Sequence, residues 1–287
     1  MERNIDTSIF LSQDCRAVNT SVYEEDVPAL SISHLRQIFN EGKPNEYRLF
    51  EDFNLEIPDI TGKSELISIM GGSGCGKSQL LRAIAGLSKM QEGEIKIYGK
   101  NVEEYGSVPM VFQAYSNYEW MTILDNVMLP MKIKGIDSKE AKERAMELIQ
   151  LVGLEEHYNK YAKSSILSGG QLQRVSIARS LACDSKVILL DEATGALDIK
   201  MKREVQNIIL KILNNSEKTI LNVTHSVEEA VYLSTKIIIL LPKPCRIYKT
   251  MNIHFEGEPP RDKWIFNTKQ FIEYSNELTQ HLEEVCK

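Results

Sequence analysis

Apolar and polar residues alternate every second position in Leu30-Ser31-Ile32-Ser33 and again in Phe53-Asn54-Leu55-Glu56-Ile57. That period sends successive side chains to opposite faces, so both segments are expected to be half-buried antiparallel strands. Gly42, Pro44 and Asn45 supply turn chemistry between them. Glu65–Met70 reads as a short apolar strand that runs into a glycine-rich loop. The period then changes to that of a helix along Gln79–Leu87, where Leu80, Leu81, Ile84 and Leu87 share one face. Glu94–Tyr98 is a further strand, closed by Gly99. A helix is expected over Ser138–Val152, capped by Asp137 or Ser138, with Ala141, Ala145, Leu148, Ile149 and Val152 as its stripe. Leu172–Leu181 forms the next helix, and Lys186–Leu190 is a β-rich run of the kind buried in a parallel sheet. Met201–Leu213 (helix), Thr219–Val223 (strand), Val227–Leu233 (helix) and Lys236–Leu241 (strand) continue the alternation. The tail from Pro242 opens on prolines and ends in a helix-like stretch, Thr268–Val285. From Glu65 onward this order predicts an α/β fold, a mainly parallel sheet with helices on its faces.

Composition narrows the setting without changing that picture. The chain has 287 residues, 43% hydrophobic and 26% charged, with a net charge of −6. No basic stripe suits nucleic acid, and no apolar run reaches the ~18 residues of a spanning helix. Met1–Asn19 is broken by Arg3, Asp6, Asp14 and Arg16 and does not read as a secretory signal. A chain of this kind that works at a membrane is expected to dock on an integral partner. Cys15, Cys75, Cys183, Cys245 and Cys286 are scattered, with no metal spacing, and read as reduced thiols. Cys75 falls within the glycine loop, where an accessible thiol is expected, although a small residue tolerated there explains it better than a redox role.

The strongest chemical signal is Gly71-Gly72-Ser73-Gly74-Cys75-Gly76-Lys77-Ser78, which fits G-x-x-x-x-G-K-[ST]. Glycines let the backbone curl until successive N–H groups converge on an anion, and the following helix adds its positive N-terminal end. In such a loop Lys77 binds the β- and γ-phosphates of ATP and Ser78 ligates Mg²⁺. Downstream, Val187-Ile188-Leu189-Leu190 runs into Asp191-Glu192, delivering two acids to the carboxyl edge of a sheet. There Asp191 is expected to hold Mg²⁺, and Glu192 to orient and polarise the attacking water. Ser168 and Gly169 open the helix after them, which makes a second anion-favouring terminus.

Leu167-Ser168-Gly169-Gly170-Gln171, followed by Leu172-Gln173-Arg174-Val175, resembles the signature of the ATP-binding-cassette (ABC) ATPases. Further landmarks fall in that family's order: Gln113 in Val111-Phe112-Gln113 as the Q-loop, Gly195-Ala196-Leu197-Asp198 as the D-loop, and His225 in Val223-Thr224-His225 as the switch histidine. The resemblance covers roughly Leu30 to the end. It implies an antiparallel β subdomain and an inserted α-helical subdomain beside the parallel sheet. It divides the chain into an N-terminal extension (1–27), an ATPase domain (28–242, helical subdomain about 114–182) and a C-terminal extension (243–287). It also implies a head-to-tail dimer with two composite ATP sites, in which Ser168–Gln171 close over the γ-phosphate held by the opposite subunit, a second copy or a paralogue. Asp198 and Gln113 are nucleotide contacts by the same resemblance, with Gln113 also at Mg²⁺, and His225 links the γ-phosphate to Glu192. Phe39 lies where the family places an adenine-stacking aromatic, with Tyr47 as its rival and strand-end packing as the plain alternative. Two departures stand out: Gln79 replaces the usual Thr, with an amide long enough to reach the α-phosphate, and Ala193 replaces the usual Pro.

One cassette without a spanning segment points to the importer style, peripheral on the cytoplasmic face of the inner membrane. The stretch Val223–Ser234 resembles the switch region of nitrate/sulfonate/taurine-type importers, as do Pro244-Cys245-Arg246-Ile247, Glu258-Pro259-Pro260-Arg261-Asp262 and Trp120-Met121-Thr122-Ile123. That resemblance implies membrane permease subunits contacted through about 113–134, an external solute-binding protein, and a small anionic solute such as nitrate, sulfonate, taurine or bicarbonate. The apolar stretch Tyr115–Lys134 serves equally as core of the helical subdomain. The nearest alternative is an exporter or lipoprotein-release ATPase, toward which Ala193-Thr194-Gly195-Ala196-Leu197-Asp198 leans. A soluble ABC protein acting on ribosomes or DNA is the alternative of a different class.

Overall fold

The computed structural model describes residues 27–105, 108–255 and 263–285. The extension before Val27, the thiols of Cys15 and Cys286 and the Glu258–Asp262 motif lie outside the described residues. Two sheets organise the molecule. The smaller is antiparallel throughout, in the order β2 (Tyr47–Ile57), β1 (Leu30–Phe39), β4 (Glu92–Ile97), β5 (Lys100–Asn101). The larger contains β3 (Glu65–Gly71), β6 (Met110–Val111), β7 (Val187–Asp191), β8 (Thr219–Val223), β9 (Lys236–Leu241) and β10 (Arg246–Asn252), in the order β10-β9-β3-β8-β7-β6. All its pairings are parallel except that of β10 with β9.

The central strands are buried on both faces, and their two-residue period sorts their side chains into two cores. Leu66, Met70, Ile188, Leu190, Ile220, Ile237 and Ile239 face one core, shared with the helices α3 (Ile123–Ile133) to α7 (Val227–Leu233). Ile67, Ile69, Val187, Leu189, Leu221, Val223, Ile238 and Leu240 face the other, shared with the antiparallel sheet, α1 (Lys77–Ile84) and Val102 of the short α2 (Val102–Tyr105). The parallel sheet is thus the middle layer.

Differences from the sequence reading have local causes. The helix expected over 79–87 spans Lys77–Ile84. Gly86 adopts φ 71°, Gly86 N–H bonds the Ala83 carbonyl and Leu87 N–H bonds that of Arg82. That left-handed cap ends the helix and leaves Leu87 63% exposed rather than on the buried face. Helix α3 arises inside the stretch read only as apolar and aromatic. Thr122 caps it, accepting from Asp125 N–H at 3.1 Å, and Pro130 sits in its interior, which masks it in a propensity reading. It packs on α4 (Ser138–Leu151) and α5 (Gly169–Leu181). Strand β10 is mostly exposed and carries no apolar period; pairing with β9 defines it.

The C-terminal segment packs on the same core as the sheet. Phe271, Leu278 and Val285 of α8 (Lys269–Val285) recur every seventh residue and are buried. Phe266 stacks on Tyr232 of α7 with ring centres 4.6 Å apart, and Arg203 of α6 (Ile199–Asn214) lies 3.9 Å above the Phe266 ring.

Candidate nucleotide and catalytic site

Strand β3 ends at Gly71, where the backbone turns into the left-handed region (φ 149°) and a Cβ would strike the Leu240 carbonyl. At the far end of the loop Gly76 (φ 90°) caps α1, and a Cβ there would come within 2.7 Å of Leu49. Only glycine satisfies both positions, so the loop Gly71–Ser78 curls tightly onto the N-terminus of α1. Lys77 is buried, and its ammonium donates to the carbonyls of Gly71 (2.9 Å) and Gly72 (3.0 Å) within that curl. Ser73 and Gly74 form the loop's outer turn, and the Tyr47 hydroxyl donates to the Gly74 carbonyl.

Ser78 Oγ donates to Asp191 Oδ1 at 2.8 Å. This joins the loop to the end of β7. Burial holds the Asp191 carboxyl above the ordinary carboxylate range, while the Ser78 hydrogen bond pulls it back down. Two hard oxygen donors in contact suit Mg²⁺, which takes one or two protein ligands and completes its octahedron with phosphate and water.

The next residue, Glu192, is in the left-handed conformation (φ 51°), fixed by its N–H donating to the Val223 carbonyl of β8 at 2.9 Å. A non-glycine residue there is strained and persists only where its surroundings hold it. Its carboxylate Oε1 lies 3.0 Å from His225 Nε2. Both side chains line a cleft of about 320 Å³ with Gln113, Thr194, Gly195, Lys202, Thr224 and Ser226. Asp191, Glu192, His225 and Gln113 therefore meet at the carboxyl edge of the larger sheet, beside the phosphate loop. Gln113 faces Gly195 across the cleft rather than sharing a bond with Ser78 or Asp191.

The signature stands elsewhere. Ser168 caps α5 and forms a reciprocal box with Gln171: Gln171 N–H donates to Ser168 Oγ (3.3 Å), and Ser168 N–H to Gln171 Oε1 (2.9 Å). Gly169 lies against the Tyr115 hydroxyl, and Gly170 N–H donates to Met201 Sδ at 3.3 Å. Asp198 is the cap of α6, accepting from Met201 N–H at 2.9 Å, so its carboxylate is engaged in its own helix. Among the described residues no hydrogen bond joins 168–171 to the phosphate loop of the same chain.

Some expectations change. The Gln79 amide, expected to reach toward phosphate, donates instead to Ser88 Oγ at 2.9 Å. Cys75 is not accessible: it is fully buried, packed beside Gly71. Cys245 is buried too, and desolvation pushes its thiol up to about 12, which leaves it unreactive. Phe39, 41% exposed, stacks parallel to Tyr47 at 6.3 Å, and of the two Tyr47 holds the loop directly. Sequence reasoning assigned nothing to Lys202, and it read Glu228 and Glu229 only as part of a family pattern. No periodicity distinguishes the buried acid from its exposed neighbour.

The chain is similar to known proteins over most of its length. The profile of the ABC transporter family matches residues 53–195. The chain is 40% identical over 260 residues to an uncharacterized ABC transporter ATP-binding protein of Methanocaldococcus jannaschii, covering 90% of this chain and 93% of that one. It is 38% identical over 258 residues to a nitrate import ATP-binding protein of Synechocystis sp. (88% and 94%) and 38% identical over 249 residues to a taurine import ATP-binding protein of Escherichia coli O157:H7 (85% and 92%). Among solved structures, it superposes with a TM-score of 0.67 and 30% identity on an ATP-binding cassette seen as a dimer in a post-hydrolysis state with ADP and Pi, over 79% of this chain and 99% of that one.

Proposed function

The chain belongs to the ABC transporter family of ATP-binding subunits, and from that premise we propose that it is the ATPase of a membrane importer for a small anion, working as a head-to-tail dimer with two composite sites. The observation that carries the reading is the pairing at the sheet's edge: Glu192 3.0 Å from His225, beside Ser78 2.8 Å from Asp191. The amides of Gly71–Ser78 and the N-terminus of α1 receive the phosphate oxygens, and Lys77 lends its ammonium to them. Ser78 and Asp191 hold Mg²⁺, which neutralises charge on the phosphates when bound. Glu192 orients the attacking water, and His225 fixes the Glu192 carboxylate from the γ-phosphate side. Ser168–Gln171 of the opposite subunit close the site, since their own chain places them apart from its loop.

The likeness to nitrate and taurine import proteins supports a small solute that carries an oxyanion group and favours import over export. Thr194, which leaned toward the exporter reading, has a structural use here: its hydroxyl donates to buried Glu229. Permease subunits dock through 113–134, where Tyr118, Trp120 and Ile133 are exposed. On this reading the chain sits peripherally on the cytoplasmic face of the membrane. No helix among the described residues is long and apolar enough to cross a membrane.

Glu192→Gln tests the reading. Hydrolysis is expected to fall by about 10²- to 10⁴-fold, while ATP converts the full chain to a dimer on light scattering. A variant that stays monomeric with ATP overturns the composite site, and one that keeps its hydrolysis overturns the role of Glu192.

A further inference from the structure

Glu229 on α7 is 1% exposed, and its carboxylate accepts from four side chains on three other parts of the chain. Thr194 in the loop after β7 donates its hydroxyl to Oε2. Lys202 and Gln206 of α6 reach the same oxygen at 3.1 and 3.2 Å. Asn222 of β8 reaches Oε1 at 3.4 Å. The Glu229 N–H donates to Ser226 Oγ at 3.3 Å.

Each tie leads back to the reacting pair. Thr194 follows Glu192 by two residues. Asn222 precedes Val223, whose carbonyl holds the Glu192 N–H. Ser226 follows His225, and Lys202 lines the cleft that Glu192 and His225 share. An apolar side chain would fasten α7 to α6 as well as this carboxylate does, since buried ion pairs are poor stabilisers. It could not fix directions, whereas converging hydrogen bonds do. The strained φ of Glu192 requires some such outside hold.

We propose that Glu229, through Thr194, Asn222 and Lys202, is a positioning residue that sets the Glu192–His225 geometry for hydrolysis. The proposal rests on the catalytic reading of Glu192. Lys202 is the sole cation among the acid's partners here, so neutralising Glu229 strands a positive charge beside the cleft.

The test is steady-state hydrolysis and ATP affinity of the full chain carrying Glu229→Gln, with Glu192→Gln measured in parallel. Glu229→Gln should lower kcat by about 10- to 100-fold and shift KM for ATP by less than about twofold. The same substitution made in the Glu192→Gln background should add nearly nothing, because residues that act as a unit are not additive. If Glu229→Gln folds poorly, Lys202→Met on the cleft side should reproduce the kcat loss with KM unchanged. A lowered Tm with the kcat of the parent in either variant, or full additivity in the double variant, overturns the proposal. If Glu192→Gln itself hydrolyses ATP at the parent rate, the catalytic reading fails first, a result distinguishable from failure of Glu229 alone.

Discussion

The phosphate loop and the signature are both glycine-rich helix N-termini, yet they differ in what their own chain supplies. Around Gly71–Ser78 one chain gathers a buried cation, a hydroxyl and a carboxylate: Lys77, Ser78 and Asp191. Around Ser168–Gln171 the charge it supplies is the Arg174 guanidinium, which is engaged with the Gly170 carbonyl and with Glu204, and three of the amides are already occupied: Ser168 with Gln171 Oε1, Gly170 with Met201 Sδ and Gln171 with Ser168 Oγ. A helix end by itself contributes only a modest attraction for an anion. On the proposed reading the first cradle holds the triphosphate, and the second gains its anion from another chain. That asymmetry makes a dimer that opens and closes with nucleotide physically reasonable.

Substitutions can break the contrast, beginning with the strongest. Lys77→Ala removes the only cation that, among the described residues, touches the loop's carbonyls. It should weaken ATP binding to the isolated chain by about 10- to 100-fold, the worth of a charge-assisted contact, as read by titration with a fluorescent ATP analogue. Gly169→Val drives a branched side chain into Tyr115. It should leave that affinity within about twofold while lowering hydrolysis about tenfold; an affinity loss like that of Lys77→Ala would show the two cradles acting within one chain. Ser168→Ala deletes a cap worth about 1 kcal/mol and should lower Tm by about 2–4 °C, measurable by calorimetry.

The smallest effect belongs to Glu65, at the opposite end of β3 from the loop. It is buried with Oε2 unpaired, and burial raises its carboxyl. A raised folded-state pKa favours the fold below the unfolded value and becomes a cost as pH rises through the folded one. Glu65→Gln should therefore raise Tm by about 1–3 °C at pH 7, with the gain fading as pH falls through the raised folded-state value and gone below about pH 4, and nucleotide binding unchanged.

The reading from sequence was strongest where local period and local spacing carry the information. Ile67 and Ile69 against Leu66 and Met70 declare a strand buried on both faces. Gly71, Gly76 and Lys77 declare a phosphate loop because their spacing is itself the geometry. Helix α3 was harder to read, since Pro130 interrupts it and its buried Asn126 is satisfied by the carbonyls of Tyr118, Met121 and Thr122. The surroundings of Gln79 and Cys75 were not legible for a related reason. Their environment is set by Ser88 and by the packing around Gly71, neither of which a window along the chain displays.

By itself the sequence determined the layered α/β fold, the phosphate loop, the acids at the end of β7 and the family to which they belong, because each depends on residues close in the chain. Only the tertiary structure decided that Glu192 meets His225, that Ser78 meets Asp191, and that Glu229 rather than Glu228 is the buried acid. Those contacts join residues 33, 113 and up to 35 positions apart. No local pattern encodes them, since they exist only once strand order has brought β3, β7 and β8 side by side.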